Sequence, residues 1–90
     1  MFNVSIHIKD NKILGSLVVD SYFFEPSKYS YAFYLYKDNE KVDVALYSSA
    51  MDVSFNLKDM TGIFYIKAYI MDIEHGDKRT FDSEKISIDS

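Results

Sequence analysis

Cysteine and tryptophan are absent from this 90-residue chain, glycine is limited to Gly15, Gly62 and Gly76, and Pro26 is the single proline. The lack of cysteine excludes disulfides, thiolate catalysis and thiolate metal sites together, without fixing a compartment. Glycines this sparse leave no glycine-rich loop to cradle a phosphate. Basic residues are scattered rather than gathered in a stripe and the formal net charge is −4, so nucleic acid is not an expected partner. No apolar run approaches membrane-spanning length. The segment Met1 to His7 alternates from the start, with neither a basic leader nor a continuous apolar stretch, so neither a signal peptide nor membrane insertion is expected.

What the chain has instead is tyrosine and phenylalanine, eight and seven of them, in a composition that is 48% hydrophobic. Aromatic side chains suit pleated surfaces, so a β class is favoured before any periodicity is considered. Residues 1–90 suffice for one domain with one core. Strand-like segments at both ends are what a module excised from a larger multidomain protein presents.

The organising stretch is Gly62 to Asp72, where Phe64, Ile66, Ala68 and Ile70 form an apolar row at period two and Tyr65, Lys67, Tyr69 and Met71 an amphipathic row opposite. A strand with one dry face needs a partner sheet, and short alternating segments elsewhere supply it. Val4, Ile6 and Ile8 alternate with Ser5, His7 and Lys9, and Asp10-Asn11-Lys12 makes a tight turn into Ile13 to Asp20. In that second strand either row can face inward, and Gly15 marks a bulge or a close backbone approach.

Lys28 to Lys37 is a long strand whose row Tyr29, Tyr31, Phe33, Leu35 is assigned to the core because it contains no serine. Asp38-Asn39-Glu40 turns it into Val42 to Tyr47, and Val53, Phe55 and Leu57 mark another half-buried strand. Tyr22, Phe23 and Phe24 precede Pro26 in an aperiodic stretch; they are expected to close one end of the core, with a binding edge as the alternative. Near the C-terminus Phe81 is out of phase with Ile86 and Ile88, so a break at Asp82-Ser83 is required if both pieces face the same core. The expected fold is all-β, an immunoglobulin-like or fibronectin type III-like seven-stranded β-sandwich, with a small barrel of the OB type as the rival.

Tyr29 to Val42, together with Phe55-Asn56-Leu57 and Gly62 to Ile70, resembles the three-tyrosine accessory domains of bacterial proteins. The resemblance covers about half of the chain, Tyr29 to Asp72. Those modules accompany sensor kinases, cell-wall enzymes and glycan-related surface proteins. The resemblance implies a non-catalytic accessory role beside another domain, at the cell surface or outside the cell if the parent is a larger bacterial protein. The family's tyrosine two residues after the glycine is here Phe64, which keeps the ring and lacks the hydroxyl that latches a tyrosine corner.

Chemistry by this domain alone is not expected. His7 and His75 have no third ligand at a zinc spacing, and the two read as solvated side chains. Asp72, Glu74 and Asp77 do not match an EF-hand loop and read as turn formers. No serine is accompanied by a nucleophile elbow or an orienting His-Asp pair. No cofactor or metal is implied. The informative surface is the row Tyr34, Tyr36, Tyr65, Lys67 and Tyr69, which Tyr47 can extend. Rings with hydroxyl handles suit a neighbouring domain of the parent chain, another protein or the faces of sugars. The expected function is therefore docking, with carbohydrate binding through an exposed tyrosine face as the alternative and a second copy of the chain as a third candidate partner.

Overall fold

The computed structural model describes residues 2–89. Among them are β1 (Phe2–Lys9), β2 (Lys12–Val19), β3 (Tyr29–Lys37), β4 (Glu40–Ser48), β5 (Asp52–Asn56), β6 (Gly62–Asp72), β7 (Lys78–Asp82) and β8 (Ile86–Ile88). They form two antiparallel sheets, one ordered β1-β2-β5 and the other β4-β3-β6-β7 with β8 also on β6. The chain is all-β with two separate ladders over a shared core, the arrangement of a β-sandwich. β3 lies along β6 from Phe64 to Asp72, so β7 and β8 share the opposite edge. The expected last strand is therefore present in two pieces.

Local chemistry sets the hairpins. Asp10 and Asn11 have φ of 52° and 61°, and Asp38 and Asn39 have φ of 49° and 68°. Two consecutive left-handed residues give a turn whose twist matches that of the flanking strands, and Asp and Asn tolerate this region because their short side chains bond locally. The second turn is also tied to β6. The Ile63 amide donates to Asp38 Oδ1 at 3.0 Å and the Asp38 amide donates to the Ile63 carbonyl at 2.8 Å. A Cβ on Gly62, where φ is 138°, would stand 2.8 Å from Asp38 Oδ2, so glycine is needed for both dihedral and space.

The inner rows meet in one cluster containing Val4, Ile6, Ile13, Leu17, Tyr31, Phe33, Leu35, Phe55, Leu57, Phe64, Ile66, Ala68 and Ile70. Burying each large apolar side chain contributes roughly 1.5–3 kcal/mol against chain entropy. The ambiguity in β2 is resolved by packing: Ile13, Gly15, Leu17 and Val19 face inward. A Cβ on Gly15 would collide with Ile66 Cδ1, so this glycine allows a close approach between the two sheets.

The phase break between β7 and β8 is made by Ser83, the one buried polar side chain among the described residues. Its amide donates to the Ile66 carbonyl at 2.8 Å, and its hydroxyl accepts from the Ile66 amide at 2.9 Å. The same hydroxyl donates to the Glu84 carbonyl at 2.8 Å. A side chain thus completes a ladder that the backbone leaves, and Phe81 and Ile86 both pack against the core.

Tyr31, 1% exposed, donates its hydroxyl to the Pro26 carbonyl at 2.8 Å and pins the 3-10 turn Pro26–Lys28 to the core. Burial raises its phenol pKa above the ordinary value.

Candidate functional site

The register of the larger sheet brings all five expected residues onto its outer face. Tyr36 stands directly opposite Tyr65 and Tyr34 opposite Lys67, while Tyr69 lies opposite Ala32, diagonal to Tyr34. These cross-strand neighbours are close enough for rings to meet. Tyr36 and Tyr65 stack with centroids 4.9 Å apart and planes 4° from parallel. Tyr34 and Tyr69 meet at 4.6 Å with planes tilted by 41°. All five are half-buried. Ala32, also on this row, is only 1% exposed, which reports how completely the rings roof the strand beneath them.

Lysines complete the roof. The Lys41 ammonium lies 5.0 Å from the Tyr34 ring centroid, that of Lys85 5.6 Å from Tyr65 and that of Lys78 5.9 Å from Tyr47. Each is within reach of the ring's negative face. Lys67 instead pairs with Asp82 at 3.4 Å. Burial opposes its charge, but Asp82 and the neighbouring phenols outweigh that and raise its pKa above the ordinary lysine value.

Tyr47 extends the row as expected. Burial and the nearby Tyr34 push its phenol up, and its hydroxyl is enclosed without a hydrogen-bond partner. Burial likewise raises Tyr69, with Tyr36 adding to it. The Tyr36 and Tyr65 rings are therefore engaged face to face, and Tyr34 and Tyr65 each carry an ammonium group. The surface offers a visitor rings and lysine heads, with Met71 half-buried at one end.

The aromatic stretch before Pro26 divides in a way that its composition did not announce. Only Phe24 closes the core, stacking on Tyr29 at 5.0 Å and meeting Phe2 edge-on at 5.3 Å. Tyr22 and Phe23 are 100% and 92% exposed, so the expectation that all three rings plug the core end is corrected. With Tyr31 holding Pro26 and Phe24 filling the end, no inward position remains for the other two. The signal available in the sequence was the lack of alternation at these positions.

The same end carries a shallow cavity of about 410 Å³ between the Pro26–Lys28 turn and the β6–β7 turn, lined by Ser27, Lys28, Tyr29, Asp72, Ile73, Glu74 and His75. Of its two carboxylates, that of Asp72 is already committed. Asp72 Oδ1 accepts from the Glu74 and His75 amides at 2.9 and 3.1 Å, and Oδ2 lies 3.1 Å from His75 Nδ1. These bonds, that of the His75 side chain first, hold the Asp72 carboxyl below the usual range. Among the described residues no group of three or more His, Asp or Glu side chains is placed to hold a metal ion. His7 is exposed on β1, in a different sheet from β6.

No protein-family model, curated protein or solved structure matches the chain.

Proposed function

We propose that this domain is a non-catalytic interaction module of immunoglobulin-like or fibronectin-like type, which docks onto a neighbouring domain or protein through the outer face of its larger sheet. The observation that carries the proposal is the mutual engagement of the ring faces of Tyr34, Tyr36, Tyr65 and Tyr69. A sugar-binding platform needs a free ring face on which the apolar side of a pyranose can lie. Here Tyr36 and Tyr65 stack on one another and Tyr34 and Tyr69 meet at a tilt. The Lys41 and Lys85 ammonium groups lie over Tyr34 and Tyr65, so the ring area open to a pyranose is reduced. A flat, half-buried array of edges, hydroxyls and lysine stems suits a protein surface better, because tyrosine brings a large contact area at low entropic cost. The order of strands, β1-β2-β5 facing β4-β3-β6 with β7 and β8, supports the sandwich type.

The test is a chemical-shift titration of the purified chain against a panel of bacterial glycans, with the absolute mass measured on the same sample. The docking reading expects a monomer that is silent to every glycan. Saturable shifts abolished in a Tyr65→Ala, Tyr69→Ala variant would overturn it in favour of a carbohydrate-binding module.

A further inference from the structure

Resting on that docking reading, we propose that the partner is an acidic protein surface, a segment in which carboxylates alternate with apolar side chains. The register places Lys41, Lys67 and Lys78 on the outer face of the larger sheet, and Lys85 reaches it over Tyr65. Asp82 is the one carboxylate that the pairing places there, opposite Lys67. The chain as a whole has a net charge of −4. Positive charge is therefore gathered on one face of an acidic domain, against the average.

The rings add to this polarity. An aromatic ring is negative on its face and positive at its edge. Tyr36 and Tyr65 turn a face to each other, Lys41 and Lys85 lie over Tyr34 and Tyr65, and the Tyr36 and Tyr69 phenols share a hydrogen bond, so ring edges and ammonium groups are prominent in what meets a visitor. Edges and ammonium groups both favour an anion. Three of the four lysines are exposed, so their fields reach a partner before contact. A second copy docking face to face would oppose one lysine rim to another, and like charges across an interface disfavour it. The half-buried Met71 side chain, in turn, offers apolar contact on the same face, which suits a partner carrying leucine-sized groups between its carboxylates.

Amide chemical-shift titration with two short peptides provides the test, one of glutamate interspersed with leucine and the other with glutamine in place of glutamate. The glutamate peptide is expected to move Tyr34, Tyr36, Lys41, Lys67 and Tyr69. Its affinity should exceed that of the glutamine peptide by about tenfold or more and fall several-fold between about 50 and 200 mM salt, as partly screened ion pairs do. A Lys41→Gln, Lys85→Gln variant with an unchanged amide spectrum elsewhere should lose at least about half of that advantage. Equal affinity for both peptides would remove the acidic partner while leaving the docking surface standing. Shifts confined to β1, β2 and β5, or no shift with either peptide, would overturn the inference. Tighter binding of polygalacturonate at the same amides would overturn both the inference and the docking reading, and mass that doubles with concentration would put a second copy on this face instead.

Discussion

The two outer faces of this domain are built from different materials. On the smaller sheet the outward positions are Asn3, Ser5, His7 and Lys9 on β1, Leu14, Ser16 and Val18 on β2, and Asp52, Ser54 and Asn56 on β5. On the larger sheet they include Tyr34, Tyr36, Tyr65, Lys67, Tyr69 and Met71, with Lys41, Val44, Lys78, Thr80 and Asp82 beside them. Both faces cover an apolar inner row. The smaller sheet, with mostly polar side chains and the aliphatic Leu14 and Val18, carries no aromatic ring at these positions. The aromatic rings are thus concentrated on the larger sheet's outer face, the surface that the proposed docking role assigns to a partner.

The comparison is sharpened first along a single strand. Ile66 is fully buried against Gly15 while Tyr65, one residue earlier, points outward. Ile66→Ala should destabilise the domain by roughly 2–5 kcal/mol through lost burial and a cavity. Tyr65→Ala should cost about 0.5–1.5 kcal/mol, the scale of an aromatic pair. Urea denaturation of the two variants checks the contrast, and comparable losses would make the tyrosine face a second core rather than a surface.

Next in size is the joint between β7 and β8. Ser83→Ala leaves the Ile66 amide without its acceptor, at a cost of about 1–3 kcal/mol. Ser54→Ala, on the outer face of the smaller sheet, should change stability by no more than about 0.5 kcal/mol. The same denaturation experiment reads both. A double-mutant cycle on Tyr36 and Tyr65, each replaced by leucine, should return a coupling of about 0.5–1.5 kcal/mol. A coupling near zero would contradict the stacking on which the closed ring faces depend.

Much of this architecture is legible from residue patterns. The inner row of β6 and that of β3 follow from alternation, and the Asp-Asn turns follow from the dihedrals these residues tolerate. The phase difference between Phe81 and Ile86 announces a break, although only the fold shows Ser83 carrying the ladder across it. Other features depend on contacts distant in sequence. The inward row of β2 is decided by the collision a side chain at Gly15 would have with Ile66, on the other sheet. The exposure of Tyr22 and Phe23 depends on Phe24 and Tyr31 having filled the end of the core.

For the site, alternation places Tyr34, Tyr36, Tyr65, Lys67 and Tyr69 on one face. It does not report that the rings close on each other or that Lys41 and Lys85 cap them. Those relations depend on the register between β3, β4 and β6 and on the path of the chain into β8, which alternation leaves undetermined.

The smallest expected effect is a pH dependence on the alkaline side. Tyr47 and Tyr69 have phenols raised by burial, and Lys67 is raised by Asp82 against its own burial. A folded-state pKa above the unfolded value contributes stability that is complete below the unfolded pKa and is lost as pH rises through the folded one. Melting temperature should therefore fall as pH climbs past the ordinary phenol and lysine range near 10. In the Asp38 and Asp72 turns the carboxyls are lowered, by the Ile63 amide and by His75 respectively, so their contribution is present above the ordinary carboxylate range and lost as pH falls through the lowered values. Melting curves across the alkaline and acid limbs check both signs.

The most direct test of the central claim compares lysine reactivity. Lys41, Lys78 and Lys85 rim the tyrosine face, while Lys9 and Lys12 flank the first hairpin on the smaller sheet and serve as internal controls. Acetylation of the purified domain and of the same chain in its native cellular setting, read by mass spectrometry at each lysine, separates a covered face from an open one. The docking account predicts protection of Lys41, Lys78 and Lys85 in the native setting with Lys9 and Lys12 equally reactive in both. Unchanged reactivity at all five lysines would contradict it.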